Sequence, residues 1–361
     1  MDSILPRESP SGQKQTTLGH YVKEVNAACT IELSSGSYTF RFERIHLFLF
    51  PLNIILFAIE IDESGADLNN LTEAHGRLRD VNRYAEMKAQ GYLEALQPLL
   101  DLCGAEKQDY TCLTDTGNKL KIFQTIECEQ VTDELLYEVG TLSKIGCVSD
   151  LSDRNAPSEE YQNHVLTTYK VSIFHDWSAL ALFDTMTLLA RRLSESDRWT
   201  WSMSYFRMIY VHLLYQKTLL FYFNRRFRMA DTDTEELLYD IREQEHYYGF
   251  SNISYNFLPQ TLYEAIDRGM GMEIERKALH GHIEQVGQIR RQVSERKLNR
   301  IILLLTFLTL TSTLYDGTSL LTEMLGIDAG TCAYVRVALL LILCAALAVV
   351  AVWVLNRFKK V

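Results

Sequence analysis

The chain has no CxxC pair, and its seven cysteines stand at irregular spacings. An odd, unpatterned set gives neither a disulfide framework nor a zinc site, and the five outside the C-terminal apolar region fit a reducing cytosol. There is no P-loop, no GxGxxG and no GxSxG, the short patterns that hold a phosphate or a nucleophilic serine against a backbone turn, so an enzyme is not expected. Positive charge is also scarce. A net charge of −10 argues against a general nucleic-acid binder, though it leaves room for a local basic pocket. No signal peptide opens the chain: MDSILPRESPSGQKQTT is polar, residues 1–17 are expected to be disordered, and membrane insertion falls to the other end.

That other end is apolar over a long distance. Ile301 to Gly326 reads IILLLTFLTLTSTLYDGTSLLTEMLG and Tyr334 to Leu355 reads YVRVALLLILCAALAVVAVWVL. Each meets the roughly 20 residues a helix needs to cross a hydrocarbon core. Arg290, Arg291, Arg296, Lys297 and Arg300 precede the first segment, Arg357, Lys359 and Lys360 follow the second, and the loop between holds Asp328 but no Lys or Arg. The positive-inside rule then predicts a two-helix hairpin in the lipid bilayer with both termini cytoplasmic, Arg336 snorkelling at its outer end.

The polar residues of the first segment keep to one face. Thr306, Thr309, Thr313 and Asp316 follow one another at three, four and three residues, and Asn299, Leu320 and Glu323 extend the stripe, with Ile302 and Leu305 beside it. Intramembrane acids usually face a bundle interior or a water-filled pathway, because facing lipid is costly. One hairpin cannot enclose a pathway, so a pore-lining stripe requires a ring of identical subunits. The alternative is that the threonines bond to their own helix and that Tyr315-Asp316-Gly317 forms a re-entrant or interfacial turn.

The rest predicts an α+β protein. A cytosolic α/β domain is expected over 18–257, a stalk helix over 258–300 and the hairpin with its basic tail over 301–361. Strands are expected from Cys29 to Glu63, broken near Pro51 and Asn53, then a helical segment from Asp67 to Cys103. Further strands are expected from Lys119 and from Tyr169. Ile45, Leu47, Phe48, Ile54, Leu56 and Phe57 fall on Val171, Ile173, Phe174, Leu180, Leu182 and Phe183, which suggests either a duplicated hairpin or two similarly patterned strand pairs. Trp199 to Met229 predicts one aromatic-rich core helix, since Arg207, His212, Gln216 and Lys217 interrupt it as a membrane span. Its end carries Arg225, Arg226 and Arg228 around Phe227, a group that either holds an anionic ligand by bidentate contacts or complements the helix dipole. Asp231 to Glu245 predicts an acidic connecting helix, and Leu279, Ile283, Val286 and Val293 make a coiled-coil-like seam in the stalk. His280 and His282 are too closely spaced for a helical metal pair.

A cytosolic α/β domain, a long helix leading into the first of two C-terminal spans, and a basic tail together resemble the CorA-like magnesium channel family. Asn299, Leu305 and Thr306 look like that family's asparagine and Leu-Thr pair, and Thr313, Asp316 and Leu320 fall where its pore-facing stripe runs. The family's Tyr-Gly-Met-Asn signature belongs near Thr322 to Leu325, where this chain reads Thr-Glu-Met-Leu. The resemblance implies a homopentameric channel of the bacterial inner membrane, with Mg2+ or another divalent cation as permeant ion and Asp316 as the cation site. Members without the signature also serve as membrane effectors of type III CRISPR antiviral defence, opened by a nucleotide second messenger, and the chain is similar to that branch. A housekeeping magnesium transporter and a non-conducting membrane-anchored sensor or scaffold stay open as alternatives.

Overall fold

A computed structural model describes residues 19–52, 54–63, 65–79, 120–150, 152, 154, 156–202, 205–229, 233–249, 253–324, 333–334 and 337–338. The N-terminal stretch expected to be disordered, the helical reading beyond residue 79 and most of the second apolar segment lie outside these residues. Of the expected hairpin, the first helix is described, with Ala333, Tyr334, Val337 and Ala338 helical beyond it.

β1 (Gly19–Leu33), β2 (Gly36–Phe50) and β3 (Ile54–Asp62) form an antiparallel sheet in the order β1-β2-β3. The Pro51 break joins β2 to β3, Phe50 pairing with Ile54. β1 begins well before Cys29, because an edge strand with one wet face alternates polar and apolar residues and its start hides among them. Phe40 and Phe42 pack on α1 (Leu68–Leu78) through Ala74 and Leu78.

The second sheet runs β4-β7-β6-β5, with β4 (Ile122–Glu127) parallel to β7 (Thr185–Ala190) and β5 (Lys170–Phe174) and β6 (Trp177–Ala181) antiparallel. β6 and β7 are buried at every residue. Their near-continuous apolar sequence follows from helices on both faces. α2 (Asp133–Thr141) and α3 (Glu159–Tyr169) set Leu136, Val139 and Val165 against Leu180 and Leu189. On the other face Ala179, Ala181 and Leu188 share a core with residues of α4 (Glu195–Ser202), α5 (Tyr205–Arg228) and α7 (Phe257–Gly269). α6 (Thr234–Tyr248) lies between α5 and α7 in the chain. Four helices start on a side-chain cap: Asp67, Thr132, Ser158 and Asp233 each accept from backbone N–H groups of the first turn.

α5 is the element on which both sheets are built. Phe206, Ile209 and Leu213 face the second sheet, while Val211, Tyr215, Leu219 and Phe223, at steps of four, face Phe48 and Phe50 of the first. Two buried faces explain why it reads as apolar all round. Of the single helix expected from Trp199 to Met229, the described residues form the end of α4 and all of α5, and 203–204 lie outside them. The hairpin similarity does not extend to pairing either: Ile45 pairs with Ile59, whereas Val171 pairs with Ala179, so the two hairpins differ in length.

A continuous stalk helix over 258–300 is also corrected. α7 is a core helix, burying Leu262, Tyr263, Ala265 and Ile266, and its last residue presses on β6. A Cβ on Gly269 would come within 2.2 Å of the Ala181 carbonyl oxygen. Gly271 then takes a φ of +67°, a conformation glycine adopts without steric cost, and α8 (Met272–Met324) begins. The chain divides into two compact units, one ending at Ile283 and one beginning at Glu284.

Candidate functional site

Asn299, Ile302, Leu305, Thr306, Thr309, Thr313, Asp316, Leu320 and Glu323 all lie on α8, and all are exposed. Leaving aside Leu305, their spacing alternates three and four residues from Asn299 to Glu323, a period of 3.5 that drifts by roughly 20° per heptad on a straight helix and suits a left-handed supercoil. The helix continues without a break through Tyr315, Asp316 and Gly317, so the re-entrant turn at that triplet is not formed. The threonines do bond to their own helix. Thr306 Oγ1 donates to the Ile302 carbonyl at 2.8 Å, Thr309 to Leu305 at 3.0 Å and Thr313 to Thr309 at 2.8 Å. Thr311, off the stripe, donates to Phe307 in the same way, so the bond is a property of helical threonine. A hydroxyl that spends its proton on the backbone keeps acceptor lone pairs for an outside donor or cation. Among the described residues no three His, Cys, Asp or Glu side chains converge to hold a metal ion.

The apolar neighbours of this stripe are equally exposed. Ile301, Ile302, Leu303, Leu304, Leu305 and Leu308 each show more than half their surface, and Phe307 and Leu310 somewhat less. A contiguous surface of this kind marks a membrane or subunit interface. Among the described residues α8 is also the one helix long and apolar enough to cross a membrane by length and composition.

Arg225, Arg226 and Arg228 do not converge. Arg225 and Arg228 are exposed, while Arg226 turns back along α5, donating from Nη1 to the Tyr222 hydroxyl at 2.7 Å. That hydrogen bond holds its charge firmly, and the carboxylates of Glu236 and Asp240 on α6 add to it. Phe227 stacks on His282 at 5.5 Å. The cluster closes a helix end and its acidic neighbour.

A recess that the sequence did not reveal lies further back along α5. Its volume is about 720 Å³, within the range of small-molecule sites, and Phe50, Tyr205, Met208, His212, Tyr248 and Leu258 line it. His212 is the polar group whose state can be fixed. The Gln216 amide nitrogen donates to the Tyr248 carbonyl at 2.9 Å, an atom that can only accept, and the same nitrogen stands 2.9 Å from His212 Nε2. Nε2 must therefore accept, leaving the imidazole neutral. Burial acts in the same direction, lowering the His212 pKa to about 4. The recess can thus take an apolar or aromatic group beside a neutral imidazole. The only hint of it in the sequence was the pair His212 and Gln216, one turn apart in an aromatic helix.

A third group connects β1, β2, β3 and α5. His20 Nε2 meets His46 Nδ1 at 3.1 Å, His46 Nε2 meets Glu60 Oε2 at 2.8 Å, and Arg44 donates to the other oxygen of Glu60 at 2.9 Å, with Arg207 at 3.9 Å. His46 is buried, and Glu60 stays below the usual carboxylate range: burial opposes its charge, but the bonds to His46 and the Arg44 charge outweigh that. These groups bond chiefly to one another, which is the pattern of a structural network. Compared with protein-family models, curated proteins and solved structures, the chain matches none.

Proposed function

We propose that this chain is a subunit of a homo-oligomeric membrane ion channel, gated through its N-terminal α+β domain, with α8 lining the pore. The carrying observation is the exposed surface of α8 from Ile301 to Met324. It combines apolar residues unfit for water with a 3.5-period stripe of hydroxyls and the carboxylates of Asp316 and Glu323. At 1.5 Å per residue its 24 residues span roughly 36 Å, enough for a bilayer core of about 30 Å. In a ring of subunits the stripe meets itself across an axis. Asp316 then offers a ring of carboxylates that favours cations, Leu305 an apolar constriction, and the threonine oxygens acceptors along the path. The likeness to CorA-like channels supports a pentamer, and the departure at Thr322 to Leu325 favours the messenger-gated defence effector over magnesium homeostasis.

Ion flux through liposomes holding the purified chain tests this, with and without adenine-nucleotide messengers, at high and low magnesium. Flux that requires a messenger supports the gated effector. Flux that magnesium alone shuts off supports the transporter, and no flux under any condition supports a membrane-anchored sensor instead. Asp316→Asn should change cation conductance or selectivity several-fold, and unchanged currents would remove this residue from the pore.

A further inference from the structure

At the edge of the second sheet four distant parts of the chain bring three cations to one acid. Arg79 follows α1, Lys121 precedes β4, Asp184 sits in the turn between β6 and β7, and Lys217 stands on α5. Arg79 Nη2 and Lys121 Nζ take one carboxylate oxygen of Asp184 each. Lys217 is not paired with an acid: its ammonium donates to the Met270 carbonyl at 2.6 Å and lies 3.3 Å from the centre of the Phe183 ring, with Lys121 4.2 Å from the same ring. Three positive charges stand against two negative ones, Asp184 and the Glu275 whose charge also acts on Lys217, and leave an excess of one. Such an excess among mostly buried side chains is costly unless an anion meets it.

Two further groups have no protein acceptor here. Arg79 Nε and the Tyr210 hydroxyl are both buried, and neither finds a hydrogen-bond partner among the described protein groups. Tyr210 is close enough to Asp184 and Arg79 for both charges to act on its phenol, which burial pushes well above the ordinary tyrosine range. Two unanswered donors beside an excess of positive charge ask for an anionic acceptor with several oxygens. Phe183, the ring that both lysines lie against, is more than half exposed, while Arg79 and Lys121 are mostly covered.

We infer that Arg79, Lys121, Lys217 and Tyr210 form a binding site for the phosphate of a phosphomonoester, with Asp184 holding two of the cations apart and in place. A phosphate group supplies the missing negative charge, and its three terminal oxygens suit a guanidinium edge, two ammoniums and a phenol. The site stands whether or not α8 lines a pore.

Titration calorimetry on the full chain in detergent, with inorganic phosphate and adenosine monophosphate as probes, tests it. Both should bind at pH 7, and Lys121→Met and Lys217→Met should each weaken binding at least tenfold while thermal melting shows the variants folded. Asp184→Asn supplies the decisive sign: with the competing carboxylate neutralised, phosphate should bind several-fold tighter. Affinity should also fall as pH rises through about 8, where Lys217, lowered by burial and then by Lys121 against the opposing charges of Asp184 and Glu275, loses its proton. A third arm uses vesicles containing phosphatidic acid, whose headgroup is the same chemistry. Binding there but not to the soluble probes would assign the phosphate to lipid. No binding in any arm, or soluble binding indifferent to Lys121→Met and Asp184→Asn, would overturn the site.

Discussion

α5 and the second half of α8 are helices of similar length and apolar content that the fold treats in opposite ways. α5 is buried on two faces between the sheets, whereas α8 from Ile301 onward shows its apolar side chains on every side. The difference shows in how polar residues are answered. In α5 several meet partners far away in sequence, Arg207 reaching Glu60, Gln216 the Tyr248 carbonyl and Lys217 that of Met270, while Thr218 and Arg226 bond one turn back to Leu214 and Tyr222. In α8 the threonines bond one turn back, and Asp316 and Glu323 stand exposed. A core helix is completed by its own chain. Among the described residues α8 is left uncovered from Ile301 to Leu310.

The largest expected effect separates the two directly. Leu213→Asp places a carboxylate where no surface is exposed and no partner waits, and should cost more than about 4 kcal/mol, unfolding the N-terminal unit in a thermal melt. Leu304→Asp should leave that melt unchanged, while lowering recovery with liposomes in a flotation assay by an amount set by roughly 3 kcal/mol of insertion energy. If Leu304→Asp also collapses the domain, the contrast between the helices fails.

A smaller effect sharpens the α5 side. His212 is about 4 when folded and near its ordinary 6.5 when unfolded, so between these values the unfolded chain binds the extra proton. Stability should be full above about pH 6.5 and fall as pH drops towards 4, by up to about 3 kcal/mol. Denaturant titrations across this range check it, and His212→Gln should flatten the curve. The smallest effect concerns one hydrogen bond. Tyr215→Phe removes the donor that meets Gln244 Oε1 at 2.6 Å, and the stranded buried amide should cost about 1–3 kcal/mol by the same titration.

How legible these elements were depended on the distance over which each is determined. The β2–β3 break at Pro51, the β5–β6 pair, the helical character of α5 and the face of α8 all follow from residues close together, and the sequence carried them. β7 escaped notice because TMTLLA, buried on both faces, has no alternation to mark it as a strand apart from the run before it. The apolar period of α7 looked like a stalk because Leu262 and Ile266 repeat at the same spacing whether they meet a partner helix or their own sheet. The joint at Gly271 left no mark in the pattern, since a single glycine does not declare its φ. The recess and the Arg79 group were out of reach. Arg79 and Asp184 are brought together only by the fold, and no local pattern pairs them.

Gly269 has a mechanical consequence. Where helices pack through side chains, a displacement of a few tenths of an ångström is absorbed by rotamers and spreads out. At Gly269 the approach to Ala181 is close enough that only the Ala181 backbone and its methyl group stand in the way of an added side chain. A side chain at Gly269 would force α7 away from β6, and two residues later, past Gly271, α8 begins, so the position of that strand sets where the longest helix in the described chain starts.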